Sequence, residues 1–352
     1  MPRATCRIWW PCTPFQRRLS PTGGQITADQ FIDVSGLSSI ADFIPSVLDN
    51  VKINGKLYYV PVSTNALGVL YNKKIFSDNS LTVPTDINAF TTLCDTLKSK
   101  NITPMAGGFK DSWVTQLIPF IAFSQYIDGK DGAIKGKLAA GAMKYADLGQ
   151  PLTDVLSLQQ TWAKAGYFQP SYMGTDVNTA SSMLGAGKAA MMINGTWQLT
   201  AVLTANADAQ IGYFPLPLNQ PGEKIQIPTS ADSGMCINAA SKNLDAAKQA
   251  LDYYLSADNQ LRVMKDLNSI STNTKVKLDN AFISDVMTAM SSANCNVQPT
   301  WWGTGGYYWP TPTTFQIDVQ LQNLLAVGTA IDQFISDADA AVARVLASAS
   351  NT

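Results

Sequence analysis

Residues 183–197 read MLGAGKAAMMINGTW. The run AAMMI is short, continuous and apolar, the pattern of a buried strand. A Gly-Ala-Gly-Lys turn precedes it. Asn194-Gly195-Thr196-Trp197 comes next, and this turn delivers a polar amide and a large indole to one strand end. In an open α/β sheet, ligands bind outside the carboxyl ends of the strands. Asn194 and Trp197 therefore stand where a ligand would be met. The plainer alternative is a helix–turn–strand unit with one core tryptophan.

The surrounding chain has 352 residues, long enough for two domains. It is 46% hydrophobic and 14% charged, which supplies a core and argues against disorder. The net charge of −1 gives no electrostatic case for nucleic acid or an anionic membrane surface. No apolar run reaches the roughly 18 residues of a membrane-spanning helix. Arg3, Arg7, Arg17 and Arg18 lie in the first stretch, and beyond it only Arg262 and Arg344 occur. Arginine is the usual bidentate clamp for carboxylate or phosphate, so this scarcity biases the ligand toward a neutral one. The chain has no histidine, which removes the commonest general base, the Ser-His and Cys-His nucleophile systems and most zinc sites. Cys6, Cys12, Cys94, Cys236 and Cys295 show no metal-ligand spacing. No metal and no cofactor are expected. Cys94 reads as a buried helix thiol, and a Cys236–Cys295 disulfide is open in an oxidising compartment.

Outward from the opening stretch the pattern is regular. VKINGKLYYVPVS is a hairpin pattern around Asn54-Gly55. ALGVLYNKKIF is an apolar strand running into a short helix. Pro84 opens a helix capped by Thr85 or Asp86. ITPMAGGF is a strand ending in glycines, and WVTQLIPFIAFSQYI is a strongly apolar helix. A further helix stops at Gly166. SGMCINAAS is a strand, two successive helices meet at Ser256, another helix precedes Cys295, and two more close the chain. Strands alternating with helices predict an α/β class with largely parallel sheets. Residues 1–20 do not match the rest of the chain. They are either a basic arm or residues foreign to the domain, from a wrong start or a frame error; the second is preferred.

Four segments in order carry a family resemblance: PVSTNALGVLYNKKIF, MLGAGKAAMMINGTWQL, SGMCINAASKNLDAAKQALDYYLSADNQ and LQNLLAVGTAIDQFISDADAAVARV. Together they resemble the extracytoplasmic sugar-binding proteins of ABC importers, the maltose-binding-like cluster. The resemblance covers about 21–350. It implies a two-lobe α/β fold of the type II periplasmic-binding-protein kind that closes on ligand like a hinge. Lobe 1 would hold 21–84 and 228–296, and lobe 2 would hold 85–227 and 297–352, with crossings near Pro84, Pro228 and Pro299. It also implies that the first strands of lobe 1 and an export signal are missing, with residues 1–20 in their place.

The same resemblance marks site residues. Sugars are held by flat aromatic rings against C–H faces and by amides and carboxylates against hydroxyls. Trp197 would stack on a ring, and Asn194 would bind a hydroxyl or hold the turn. Trp113 falls where the family places a pocket aromatic, after Gly107-Gly108. Asp111 matches a hydroxyl-binding carboxylate, or is a plain helix N-cap. Asn65 is a polar contact or a turn amide, and Asp232 a hinge or ligand residue. Lys188 and Tyr71 are assigned to structure, as a solvated lysine and a lobe-1 core tyrosine. Independently of any alignment, Trp301, Trp302, Tyr307, Tyr308 and Trp309 crowd among Gly and Thr, a composition that suits a loop lining a groove, the alternative being a self-packed aromatic cap.

The expected function is binding of a neutral mono- or oligosaccharide between the lobes and its delivery to ABC transporter permease subunits. The protein is expected to be a monomer in the cell envelope, periplasmic or membrane-anchored, with no enzymatic activity. A glycoside hydrolase or lyase is the alternative, but it needs two carboxylates across a groove. Asp111 and Asp232 are the available pair, and the one glutamate, Glu223, lies in a loop. A sugar-sensing domain would use the same binding and is not separated from transport by the sequence.

Overall fold

The computed structural model describes residues 9–12, 28–231, 234–299, 315–327 and 330–349. They form two compact units. Unit 1 takes the described residues up to Asn65 together with Ser230–Ile283; unit 2 takes Ala66–Thr229, Ser284–Pro299 and the described residues from Phe315 onward.

Unit 1 opens with β1 (Trp9–Cys12), α1 (Pro45–Val51) and β2 (Val60–Pro61). Between the last two, Asn54 and Gly55 both have positive φ, 50° and 76°. Ile53 and Lys56 exchange backbone hydrogen bonds at 3.0 Å across them. Asn-Gly meets this demand for two positive φ angles. The pairing stops at that one bridge, so the expected hairpin is a tight turn.

β3 (Ser63–Asn72) carries the chain into unit 2, with the division between Asn65 and Ala66. The family resemblance places this crossing near Pro84, which lies inside unit 2. A strand held by ladder hydrogen bonds makes the passage without a proline linker. Asn72 closes β3 and caps α2 (Lys73–Asp78), accepting from the Ile75 N–H at 3.1 Å. Asp86 caps α3 (Ile87–Ser99), accepting from the N–H groups of Asn88 and Ala89. β4 (Thr103–Met105), α4 (Ser112–Thr115) and α5 (Leu117–Phe123) come next. All seven residues of α5 are buried, as a helix apolar on every face requires. A π-helical turn, Ser124–Asp128, and α6 (Ile134–Ala139) lead to α7 (Gln150–Lys164), which ends at Gly166 with φ 70°. α8 (Val177–Gly185) turns through Gly187 into β5 (Ala189–Gly195), which is buried at every position. The stretch 183–197 is thus a helix–turn–strand, with Lys188 exposed at its turn. α9 (Leu199–Ala205), β6 (Ile211–Phe214) and β7 (Ile225–Ala231) complete the pass, and β7 leaves unit 2 after Thr229.

Back in unit 1 come β8 (Gly234–Ile237), α10 (Leu244–Leu255), α11 (Ala257–Leu267) and β9 (Ile270–Ser271). β8 lies between β1 and β2, antiparallel to both. Setting all of residues 1–20 outside the fold therefore needs correcting. Trp9–Cys12 pairs with β8 from Trp9↔Ile237 to Cys12↔Gly234; a Trp-Trp run has high strand propensity, and β8 offers it an unpaired edge. Phe43, Tyr59, Val60, Ile237, Leu251 and Met264 anchor the core of this unit.

α12 (Ala281–Ser291) begins in unit 1 and continues in unit 2, which also holds β10 (Cys295–Pro299), α13 (Ile317–Val327) and α14 (Ile331–Ala349). In unit 2, β3 is antiparallel to both β5 and β6, whereas β4 is parallel to β5 and β7 to β10. The sheets are mixed rather than largely parallel. β3 enters from unit 1 at Ala66, and its Leu67 lies opposite Gly195 where β5 ends, so it runs against the strands beside it. Tyr71, expected in the lobe 1 core, is half-buried in unit 2, its ring 4.5 Å from Phe76 and 5.4 Å from Phe214. Cys94 is buried in α3, where desolvation, then the Asp95 charge, pushes its thiol pKa up. Cys236 lies on β8 in unit 1 and Cys295 on β10 in unit 2. Among the described residues no helix is long and apolar enough to cross a membrane.

Candidate functional site

β4 and β5 run parallel, with Thr103 opposite Ala189 and Met105 opposite Met191. Their carboxyl ends therefore point the same way, with β5 running four residues past the Met105–Met191 pair to Gly195. Each is succeeded by a tryptophan: Trp113 on α4 after β4, and Trp197 in the turn after β5. The two indoles meet with ring centroids 6.4 Å apart and planes tilted by 44°. Both are half-buried.

Gly195 allows this. A Cβ built there would lie 1.9 Å from the Trp197 ring, so the indole rests directly on the glycine backbone. The neighbouring Thr196 hydroxyl accepts from the Ala66 N–H at 3.3 Å and ties the turn to β3.

The stretch leading to Trp113 is held from several sides. Gly107 exchanges two hydrogen bonds with the Gln169 amide, at 2.8 and 2.6 Å. Gly108 packs against the start of α8, where a Cβ would come 2.8 Å from the Val177 Cα. Asp111 Oδ2 accepts from the Val177 N–H at 2.7 Å. Its carboxylate makes no cap bond on its own helix α4; it supports the N-terminus of α8, where a negative charge is favourable. From the far end of the chain, Gln322 donates to the Phe109 and Lys110 carbonyls, and Asp318 accepts from the Ser112 hydroxyl.

The structure thus brings together three of the residues the sequence singles out: Trp113, Trp197 and Asp111. Asn194 is next to them but fully buried; its Oδ1 accepts from the Gly195 N–H at 2.8 Å, and Nδ2 has no partner among the described residues. This geometry matches the turn-holding role rather than exposure to a ligand. Asn65 is buried in unit 1, where its Oδ1 accepts from the Ser230 hydroxyl at 2.9 Å. Asp232, Trp301, Trp302, Tyr307, Tyr308 and Trp309 lie outside the described residues. Sequence inspection misses Gln169, Gln322 and Asp318, and names Gly108 without its packing role. None carries a local signal, because each acts on backbone distant in the chain or by leaving room for it.

Two surface hollows of unit 2 lie apart from the indole pair. One, of about 530 Å³, is lined by Gln160, Lys164, Tyr172 and Leu325. The other, of about 420 Å³, is lined by Tyr126, Asp154, Leu218 and Glu223. Burial, then the Asp154 charge, pushes the Tyr126 hydroxyl pKa up to about 12. Among the described residues no group of three or more His, Cys, Asp or Glu is placed to hold a metal ion.

Two α/β units, strands that pass from one into the other, and aromatic residues at strand ends define the class of two-unit solute-binding folds. Residues 15–289 match the family described as bacterial extracellular solute-binding protein, and the chain belongs to that family. It is 26% identical over 239 residues to a multiple sugar-binding protein of Streptococcus mutans, covering 65% of this chain and 54% of that one. It is likewise 26% identical over 195 residues to an uncharacterized ABC transporter extracellular-binding protein of Pyrococcus horikoshii, covering 53% and 43%. The chain spans about half the length of these curated relatives. Among solved structures, RafE of Streptococcus pneumoniae superposes with a TM-score of 0.72 at 20% identity, over 90% of this chain and 79% of that one. RafE has also been solved in complex with raffinose. At that identity the likeness is one of fold.

Proposed function

We propose that this protein binds a neutral saccharide outside the cytoplasmic membrane and hands it to the permease subunits of an ABC transporter. The observation that carries the proposal is the tilted Trp113–Trp197 pair at the carboxyl ends of β4 and β5. Two half-buried indoles suit the C–H faces of sugar rings, and a ligand without charge needs no arginine clamp. Asp111 has one carboxylate oxygen on the Val177 N–H, and its other oxygen is the hydroxyl acceptor in this proposal. The names of the relatives support a sugar as ligand and an ABC transporter as partner; the family description supports an envelope location, periplasmic or membrane-anchored. The protein acts as a monomer and performs no chemistry on the sugar.

Titration calorimetry with raffinose and with maltodextrins tests this, alongside chromatography for released products. Saturable binding without product is expected. Trp197→Ala should weaken binding about tenfold or more, the equivalent of roughly 1.4 kcal/mol, with the fold retained by circular dichroism. Unchanged affinity would remove Trp197 from the site, and released sugar would refute a pure binding role.

A further inference from the structure

We propose that α13 is a brace for the ligand-binding loop, with Gln322 and Asp318 as positioning residues that aim Trp113. The proposal rests on the saccharide reading for its functional consequence; the geometry of the brace stands apart from it.

Residues 106–111 connect β4 to α4 without regular secondary structure. α4 has four residues, too few to hold a helix unaided. The orientation of Trp113 therefore depends on what grips this stretch. Its N–H groups find partners within the central part of unit 2: Ala106 on Met191, Gly107 on Gln169, Phe109 on Tyr172 and Lys110 on Thr175. The Gly107 carbonyl also goes to Gln169, but those of Phe109 and Lys110 are met from α13. Gln322 Nε2 donates to the Phe109 carbonyl at 2.7 Å and to the Lys110 carbonyl at 3.1 Å. One amide, with two hydrogens, thus satisfies two successive carbonyls. One turn earlier on α13, Asp318 Oδ2 accepts from the Ser112 hydroxyl at 2.6 Å, and the Asp318 carbonyl lies 3.0 Å from the Thr115 hydroxyl, which shares its one hydrogen with the Ser112 carbonyl at 2.5 Å. Ser112 and Thr115 are the two ends of α4 and flank Trp113.

The two grips are four residues apart on one helix, so they fall on one face. That face spans the loop from Phe109 to Thr115 and fixes both its path and the start of α4. Leu321 and Leu324, both buried, hold the helix itself in place. The partners are more than 200 residues apart in sequence, and α13 lies beyond the segment that matches the family. The aim of Trp113 is therefore set by a part of the chain that the family pattern does not include.

The test compares Gln322→Ala, Asp318→Ala and Asp318→Asn in the full chain. Two measurements are made: raffinose affinity, and the near-ultraviolet circular dichroism of the coupled indoles without sugar, with Trp113→Phe as the reference for loss of that coupling. Both alanine variants should lose the coupled signal and bind about five- to tenfold more weakly, with a cooperative unfolding transition retained. Asp318→Asn keeps an acceptor for Ser112 and should behave as the wild type. Wild-type signal and affinity in both alanine variants would overturn the brace. So would an asparagine variant as impaired as the alanine one. If the wild type binds no saccharide, the function fails, and the indole signal still decides the brace.

Discussion

Gly195 determines whether Trp197 can lie where it does. The space a Cβ would need is taken by the indole at 1.9 Å, so an added methyl group and the ring cannot both stay in place. Gly195→Ala should therefore swing the indole out and lower saccharide affinity about as much as Trp197→Ala, roughly tenfold. Gly36→Ala, where nothing lies within 4 Å of the added carbon, is the control and should bind as the wild type. Calorimetric titration with raffinose reads both, and equal affinity for all three proteins would show that the indole is not packed in that way. At this scale the sequence is half legible. The Asn-Gly-Thr-Trp turn after an apolar run places Trp197 at a strand end. It does not reveal that the Asn194 amide turns back onto the next N–H and is sealed from solvent. Nor does it reveal that Asp111, which resembles a cap for its own helix, serves α8 instead, 66 residues further on.

Among the elements, the helices are the easier to foresee. Asp86 opens α3 and Gly166 closes α7 because caps and stops are local chemistry. Strand partners are not local: nothing in ALGVLY says that it faces β5 antiparallel, with Leu67 opposite Gly195. The apolar run after Trp113 illustrates the same limit. It reads as one helix, but α5 passes into a π-turn whose last residue, Asp128, is buried against Lys135 on α6. Their ion pair is 2.7 Å long, with side chains 3% and 15% exposed. Removing one partner of a pair this buried leaves the other charge uncompensated, so Lys135→Met should destabilise the protein by about 3 kcal/mol. The double variant Asp128→Asn/Lys135→Met should recover most of that loss. Urea unfolding midpoints measure both, and a loss under about 1 kcal/mol would place the pair among solvent-screened ones.

For the whole molecule, sequence order and spatial order part company at the C-terminus. The final helices belong to unit 2, and besides α13 at the indole loop there is a second long-range tie from α14. Asp339 accepts from the Tyr145 N–H at 2.6 Å and from the Ala146 N–H at 3.2 Å, nearly 200 residues away. These N–H groups open the 3-10 turn Tyr145–Leu148 and have no partner within the turn itself. A carboxylate there acts as an N-cap delivered from another helix. Asp339→Ala should cost about 1–2 kcal/mol, and Asp339→Asn, which keeps one acceptor oxygen, distinctly less. The Trp113–Trp197 pair shares none of these bonds, so saccharide affinity should stay within about twofold of the wild type, since distant sites with no common partner act additively. A lowered urea midpoint with unchanged affinity would then separate the two helices, α14 holding the unit together and α13 aiming the site. An affinity loss in Asp339→Ala as large as in Gln322→Ala would mean instead that α13 and α14 act on the indole loop as one body.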